Sequence, residues 1–111
     1  MKLTTIAKDL KSMLQHGKVF MFSKTYCPYC DRAKWILDKH KINYDYVECD
    51  EIPLTPEQSK QLREMSGIST FPNIFIGKKS IGGCDNLTSL ERSGELKKIL
   101  EENGIQQMKS F

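Results

Sequence analysis

The chain has no apolar run near the roughly 20 residues that span a bilayer, and no internal repeat, linker or low-complexity tract. Its first residues, Met1-Lys2-Leu3-Thr4-Thr5 with Lys8, Asp9 and Lys11 behind them, lack the apolar core of a secretory leader. Neither end carries a lipidation box. An excess of one charge is also missing: 17 Lys and Arg are interleaved with 14 Asp and Glu, a net charge of +3. That argues against a nucleic-acid stripe and leaves a weak attraction for small anions. These absences set the expectation of a cytoplasmic protein with no nucleic-acid or membrane partner. What is present, 111 residues of which 39% are hydrophobic, suits one domain over residues 1–111 and argues against disorder. Cysteine is scarce too, with four residues: Cys27, Cys30, Cys49 and Cys84. A secreted mini-domain would use four as two bridges. A chain able to build its own core, in a reducing compartment, uses them for catalysis or metal binding.

Apolar spacing sets out the elements. Leu3, Ile6, Ala7, Leu10 and Leu14 recur at helical intervals and predict a helix over residues 3–15, stopped by Gly17. The run Lys18-Val19-Phe20-Met21-Phe22 suits a strand buried on both faces. A helix follows from Cys27 to about His40, with Trp35, Phe20 and Phe22 read as core. Tyr44 to Cys49 alternates as a second strand. Thr55-Pro56-Glu57-Gln58 is a capping box opening a helix that ends near Gly67. Asn73–Ile76 and Ser80-Ile81 flank the turn Gly77-Lys78-Lys79 as a hairpin. After Gly82-Gly83, Asp85 or Asn86 caps a helix that Ser93-Gly94 separates from a final one. The order α-β-α-β-α-β-β-α-α predicts an α/β fold, a central four-stranded mixed sheet flanked by about five helices.

The strongest chemical signal is Cys27-Pro28-Tyr29-Cys30, placed after a buried strand and opening a helix. Free N–H groups and the helix dipole at that position favour a thiolate at Cys27. Pro28 suits the first helical position, and Lys24 and Arg32 add positive potential nearby. Cys30, one turn on, is within reach of Cys27 and lies deeper, which makes it the resolving thiol of a reversible disulfide. A zinc site lacks its second ligand pair, because Cys49, Cys84, His16 and His40 are scattered. A structural bridge across so short a loop gains little entropy. Thr70-Phe71-Pro72 precedes a strand and reads either as a backbone shelf facing Cys27 or as a plain loop end. Gly82-Gly83-Cys84-Asp85 is a turn into a helix start whose N–H groups suit a carboxylate.

Taken together, Ser23-Lys24-Thr25-Tyr26-Cys27-Pro28-Tyr29-Cys30, Thr70-Phe71-Pro72-Asn73 and Gly82-Gly83-Cys84-Asp85 resemble a dithiol, CPYC-type glutaredoxin across roughly residues 5–103. The Pro-Tyr insert and the Gly-Gly-Cys-Asp turn distinguish it from a thioredoxin. The resemblance implies a thioredoxin-like fold with Pro72 cis and glutathione as co-substrate, with no metal. It assigns Cys27 as nucleophile and Cys30 as resolving thiol. Lys24 would pair with the glycine carboxylate, Tyr29, Thr70 and Pro72 would shape the groove, and Phe71 would offer its backbone to the cysteinyl unit. The Cys84 N–H and Asp85 would hold the γ-glutamyl end. The partners implied are glutathione and glutathionylated or disulfide-containing proteins, met as a monomer. The alternative is a glutathione-ligated [2Fe–2S] cluster, against which the stiffness of Pro28 argues. Three positions depart from the family pattern: Phe71 for a common valine, Asn86 for a common aspartate, and Ser59 for a glutamine that Gln58 or Lys60 would replace. Cys49 is expected to pack in the core; Cys84 stays open between a turn residue and a second reactive thiol.

Overall fold

The computed structural model describes residues 1–105. Its sheet contains β1 (Val19–Ser23), β2 (Tyr44–Glu48), β3 (Asn73–Ile76) and β4 (Lys79–Gly82), in the order β2-β1-β3-β4. β1 runs parallel to β2 and antiparallel to β3, which makes the hairpin with β4. The helices are α1 (Pro28–Lys39), α2 (Pro56–Ser66), α3 (Cys84–Ser93) and α4 (Glu95–Glu102).

Every residue of β1 is buried, as an inner strand covered on both faces requires. Alternation sends its side chains into two cores. Val19 and Met21 join Ala33, Ile36 and Leu37 of α1, Leu87 of α3 and Leu96 and Leu100 of α4. Phe20 and Phe22 join Leu10, Leu62 of α2 and Phe75 of β3 on the opposite face. The capping box at α2 forms as expected: Gln58 N–H donates to Thr55 Oγ1 at 3.1 Å, and Thr55 N–H donates to Gln58 Oε1 at 2.9 Å. Gly67 closes that helix at φ 76°, a left-handed position that favours glycine.

The expected first helix does not form, so the described residues hold four α-helices and one 3-10 turn, Leu10–Met13, in place of five helices. The segment instead extends the sheet edge. Leu3 N–H donates to Tyr46 C=O at 2.7 Å, Tyr46 N–H donates to Met1 C=O at 3.1 Å, and Lys2 bridges Tyr46. Further along, α2 supplies partners that a helix would have found internally. Gln58 Nε2 donates to Ala7 C=O at 3.0 Å, and Gln61 Oε1 accepts from Leu10 N–H at 2.9 Å. Leu10 and Leu14 are nonetheless buried. The spacing marked the right inward residues on a backbone that tertiary partners hold open.

Trp35 is a second correction, being 59% exposed. The inward stripe of α1 is Cys30, Ala33, Ile36 and Leu37. Position 35 falls on the opposite side of a 3.6-residue turn, where the Lys39 ammonium lies 4.6 Å from its ring centre.

At the far end of α1, Glu91 of α3 accepts from Lys39 Nζ at 3.0 Å and pairs with His40 Nε2 at 2.5 Å. This clasp fixes α1 against α3, the two helices whose N-termini meet at the functional site. Burial works to raise the Glu91 carboxyl, but its bonds to His40 and Lys39 outweigh that and hold it below its ordinary value of 4.5. A folded-state value below the unfolded one gives stability that is present above pH 4.5 and lost as the pH falls through the folded value. Glu91→Gln therefore flattens the acid limb of the melting temperature against pH, measured from pH 6 to 3. An unchanged acid limb would show that the clasp carries no linkage.

Candidate active site

The short segment after β1 turns directly into α1. Cys27 N–H donates to Lys24 C=O at 3.3 Å, and Cys27 then takes extended torsions as the N-cap of α1. Pro28 occupies the first helical position, where its missing N–H costs no hydrogen bond. Thr25 ties the turn to the chain after β2: its N–H donates to Asp50 Oδ1 at 3.0 Å and its hydroxyl bonds the same carboxylate. Those two bonds hold the Asp50 carboxyl below its ordinary value.

The two thiols differ in the way a nucleophile and a resolving group need to. Cys27 is half-buried, and its Sγ accepts the Cys30 N–H at 3.2 Å, one of the first-turn amides that a helix leaves unpaired. On its other side Cys27 Sγ lies 3.7 Å from Phe71 C=O. Cys30 is fully buried. Burial first, and then its hydrogen bond to Cys27, push the Cys30 thiol up to about 12. All four cysteines are free thiols. Cys49 is buried and packed in the second core, and burial pushes its thiol up to about 11, so it is a packing residue as expected. Cys84 is buried in the first core, and burial raises its thiol as well.

Beside Cys27 runs a groove of roughly 410 Å³ lined by Tyr29, Ile68, Thr70, Phe71, Pro72, Gly83, Cys84, Asp85 and Asn86. Six residues singled out from the sequence therefore meet on one concave surface: Tyr29, Thr70, Phe71, Pro72, Cys84 and Asp85. The Phe71–Pro72 peptide bond is cis. It lies at the entry to β3 and carries the Phe71 carbonyl that faces Cys27 Sγ. Gly83 lets α3 approach closely, because a Cβ there would stand a tight 3.3 Å from the Pro72 carbonyl. Gly83 is also the N-cap of α3 and makes no side-chain cap bond. This corrects the expectation that Asp85 or Asn86 caps the helix; both lie in its first turn. The first-turn amides are consequently left without a side-chain acceptor at the groove. Asn86 packs its amide over Gly82, whose φ of 90° demands glycine.

Lys24 stands apart from this lining. Its ammonium lies 4.8 Å from the Phe71 ring centre and 5.9 Å from that of Tyr26, so Phe71 separates the cation from the α3 end. The ring at position 71 thus gives Lys24 a cation–π seat that a valine would not provide. Gln58 is committed to the α2 cap and to Ala7, and none of Gln58, Ser59 and Lys60 lines the groove. Sequence reasoning missed Ile68, which enters the groove from the loop after α2 without any periodic signal. It noted Gly83 only as half of a turn.

Comparison with known proteins assigns this arrangement. The family model described as Glutaredoxin matches residues 19–81, more than half of the chain. The chain belongs to the glutaredoxin family. A glutaredoxin of Ricinus communis is 43% identical over 94 residues, covering 85% of this chain and 92% of that protein. Glutaredoxin-1 of Homo sapiens is 41% identical over 97 residues, covering 85% and 92%. Among solved structures, the buckwheat glutaredoxin–glutathione complex superposes with a TM-score of 0.74 at 35% identity, covering 85% of this chain and 86% of that one. The fold is the thioredoxin-like glutaredoxin fold, and the Cys27–Cys30 spacing is that of a dithiol member.

Proposed function

We propose that the protein is a glutathione-dependent thiol–disulfide oxidoreductase that reduces protein–glutathione mixed disulfides through Cys27 and protein disulfides through Cys27 and Cys30. The observation that carries this reading is the asymmetry of the pair. Cys27 Sγ is accessible and accepts a helix N-terminal N–H at 3.2 Å, whereas Cys30 is sealed and held protonated. The Cys27 thiolate attacks the glutathione sulfur of a mixed disulfide, and the protein thiolate leaves and takes up a proton. A second glutathione thiolate then attacks the glutathionyl sulfur on Cys27, releasing oxidised glutathione and regenerating Cys27. The Cys30 N–H, 3.2 Å from Cys27 Sγ, donates to that sulfur both as it attacks and as it leaves.

The groove suits a peptide with anionic ends. Phe71 presents its backbone beside Cys27 for the cysteinyl unit, Tyr29, Thr70 and Pro72 wall the channel, and the amides of Cys84 and Asp85 meet the γ-glutamyl carboxylate. The Asp85 carboxylate is exposed for the ammonium of the same residue. Lys24, whose ammonium lies over the Phe71 ring on the far side of the groove, supports pairing with the glycine carboxylate at the other end. Pro28, fixing the backbone next to Cys27, favours exchange over cluster ligation at this site.

The test separates the two thiols. Cys30→Ser keeps turnover of a glutathionylated peptide, coupled to glutathione and glutathione reductase, within about threefold of wild type, and lowers reduction of a protein disulfide by about 100-fold or more. With Cys30 at about 12, only its thiolate attacks, so the dithiol reaction accelerates as pH rises from 7 to 9. Equal loss of both activities in Cys30→Ser would overturn the division of labour.

A further inference from the structure

We propose that Ser23 is a positioning residue for the resolving step, its buried hydroxyl donating to Cys30 Sγ as that sulfur becomes the attacking thiolate. The inference rests on the dithiol reading above and assigns a donor to its second thiol. In the resolving step Cys30 gives up its proton to solvent, and its thiolate attacks Cys27 Sγ. A Cys27–Cys30 disulfide forms as the bond between Cys27 and the product sulfur breaks. The product leaves with that electron pair and takes up a proton. The charge therefore appears, transiently, on a fully buried sulfur. Without a donor, burial would make that species costly.

Ser23 is built to supply one. It is the last residue of β1 and is fully buried. Its position follows Val19 and Met21 on the face that packs against α1, the helix that carries Cys30. In the protein's resting state the Ser23 hydroxyl has no hydrogen-bond partner, an unusual condition for a buried polar group. The Lys24 N–H and, after it, the Ser23 hydroxyl pull the Cys30 thiol downward, against the stronger upward push of burial and of the Cys27 bond. A buried donor without a partner, on the sheet face that α1 covers, gains an acceptor when the thiolate forms, so it favours the reacting state over the resting one. Across the sheet, Glu48 pairs with Ser23 in the β1–β2 register; its Oε2 bonds Lys34 Nζ at 2.9 Å, and its Oε1 is buried without a hydrogen bond to Ser23 or any other group.

Mixing the reduced protein with one equivalent of Ellman's reagent, 5,5′-dithiobis(2-nitrobenzoate), resolves the two steps. A first phase releases one coloured thiolate as Cys27 attacks, and a second releases another as Cys30 displaces the aryl thiolate held on Cys27. The expected result is a second phase slowed about tenfold in Ser23→Ala and Ser23→Val, and restored to within about twofold of wild type in Ser23→Thr. Threonine and valine share a volume and differ in the hydroxyl, so the pair separates hydrogen bonding from packing. A second phase at the wild-type rate in Ser23→Ala, or one equally slow in Ser23→Thr and Ser23→Val, overturns the assignment while leaving the dithiol reading intact. A second phase that persists in Cys30→Ser overturns the dithiol reading itself, and the role of Ser23 with it.

Discussion

Cys27→Ser lowers turnover of a glutathionylated peptide by about 10³-fold or more and leaves the melting temperature within a few degrees of wild type. The two halves of that expectation come from the same location. Cys27 is the N-cap of α1, and its side chain accepts the Cys30 N–H at 3.2 Å. Serine is among the preferred N-cap residues and its Oγ can accept the same bond, so the helix start is preserved. What disappears is nucleophilicity. A serine hydroxyl needs a neighbouring general base to attack at neutral pH. The side of Cys27 away from the helix faces the Phe71 carbonyl, which is no base. The paired measurement of turnover and thermal melting decides it. Retention of even a tenth of the activity, in a protein that melts normally, would mean that another sulfur carries the reaction.

The local grammar of the site was largely readable in the sequence. The cap at Cys27, the proline at the first helical position, the inward placement of Cys30 and the capping box of α2 depend on residues within one turn of each other. Short-range physics settles such features. The groove was readable in its parts, because Thr70-Phe71-Pro72 and Gly83-Cys84-Asp85 are both punctuation points. Their meeting beside Cys27 follows from the strand order β2-β1-β3-β4, which brings the entry of β3 next to the exit of β1. Long-range partners account for what was not readable. The N-terminal segment had helical spacing, yet Tyr46 and two glutamines of α2 bond its backbone, and no local signal announces partners some 50 residues away. Trp35 is a different kind of miss. Its phase relative to Cys30, Ala33 and Leu37 is legible in the sequence and puts the indole on the solvent side, whatever its hydrophobicity. The ion pair of Lys34 with buried Glu48 had no signal of its own, since a Tyr-Asp-Tyr-Val-Glu strand end looks solvated until α1 covers it.

Phe75→Ala is expected to produce the largest loss of stability, about 3–5 kcal/mol, and with it a fall in melting temperature of roughly 15–25 °C. Phe75 is fully buried on β3, between β1 and β4, and meets Phe22 edge to face with ring centres 6.0 Å apart and planes at 80°. Phe22 in turn packs on Phe20 at 5.0 Å. Truncation removes the ring that Phe22 meets edge to face and leaves a cavity that a sheet fixed by register on both sides cannot collapse to fill. The consequence reaches the site along a short path. Phe71 packs against this same core, two residues before β3 begins, and its carbonyl is what Cys27 Sγ faces. A looser core therefore frees the segment that presents the peptide shelf, while the α3 end of the groove, seated on the other core with Cys84 and Leu87, keeps its place. Well below its new melting temperature, Phe75→Ala should accordingly show a raised KM for glutathione with kcat held within a fewfold of wild type. Denaturant unfolding and a glutathione titration check the two parts separately. A stability loss under about 1 kcal/mol would show that the second core does not depend on this ring.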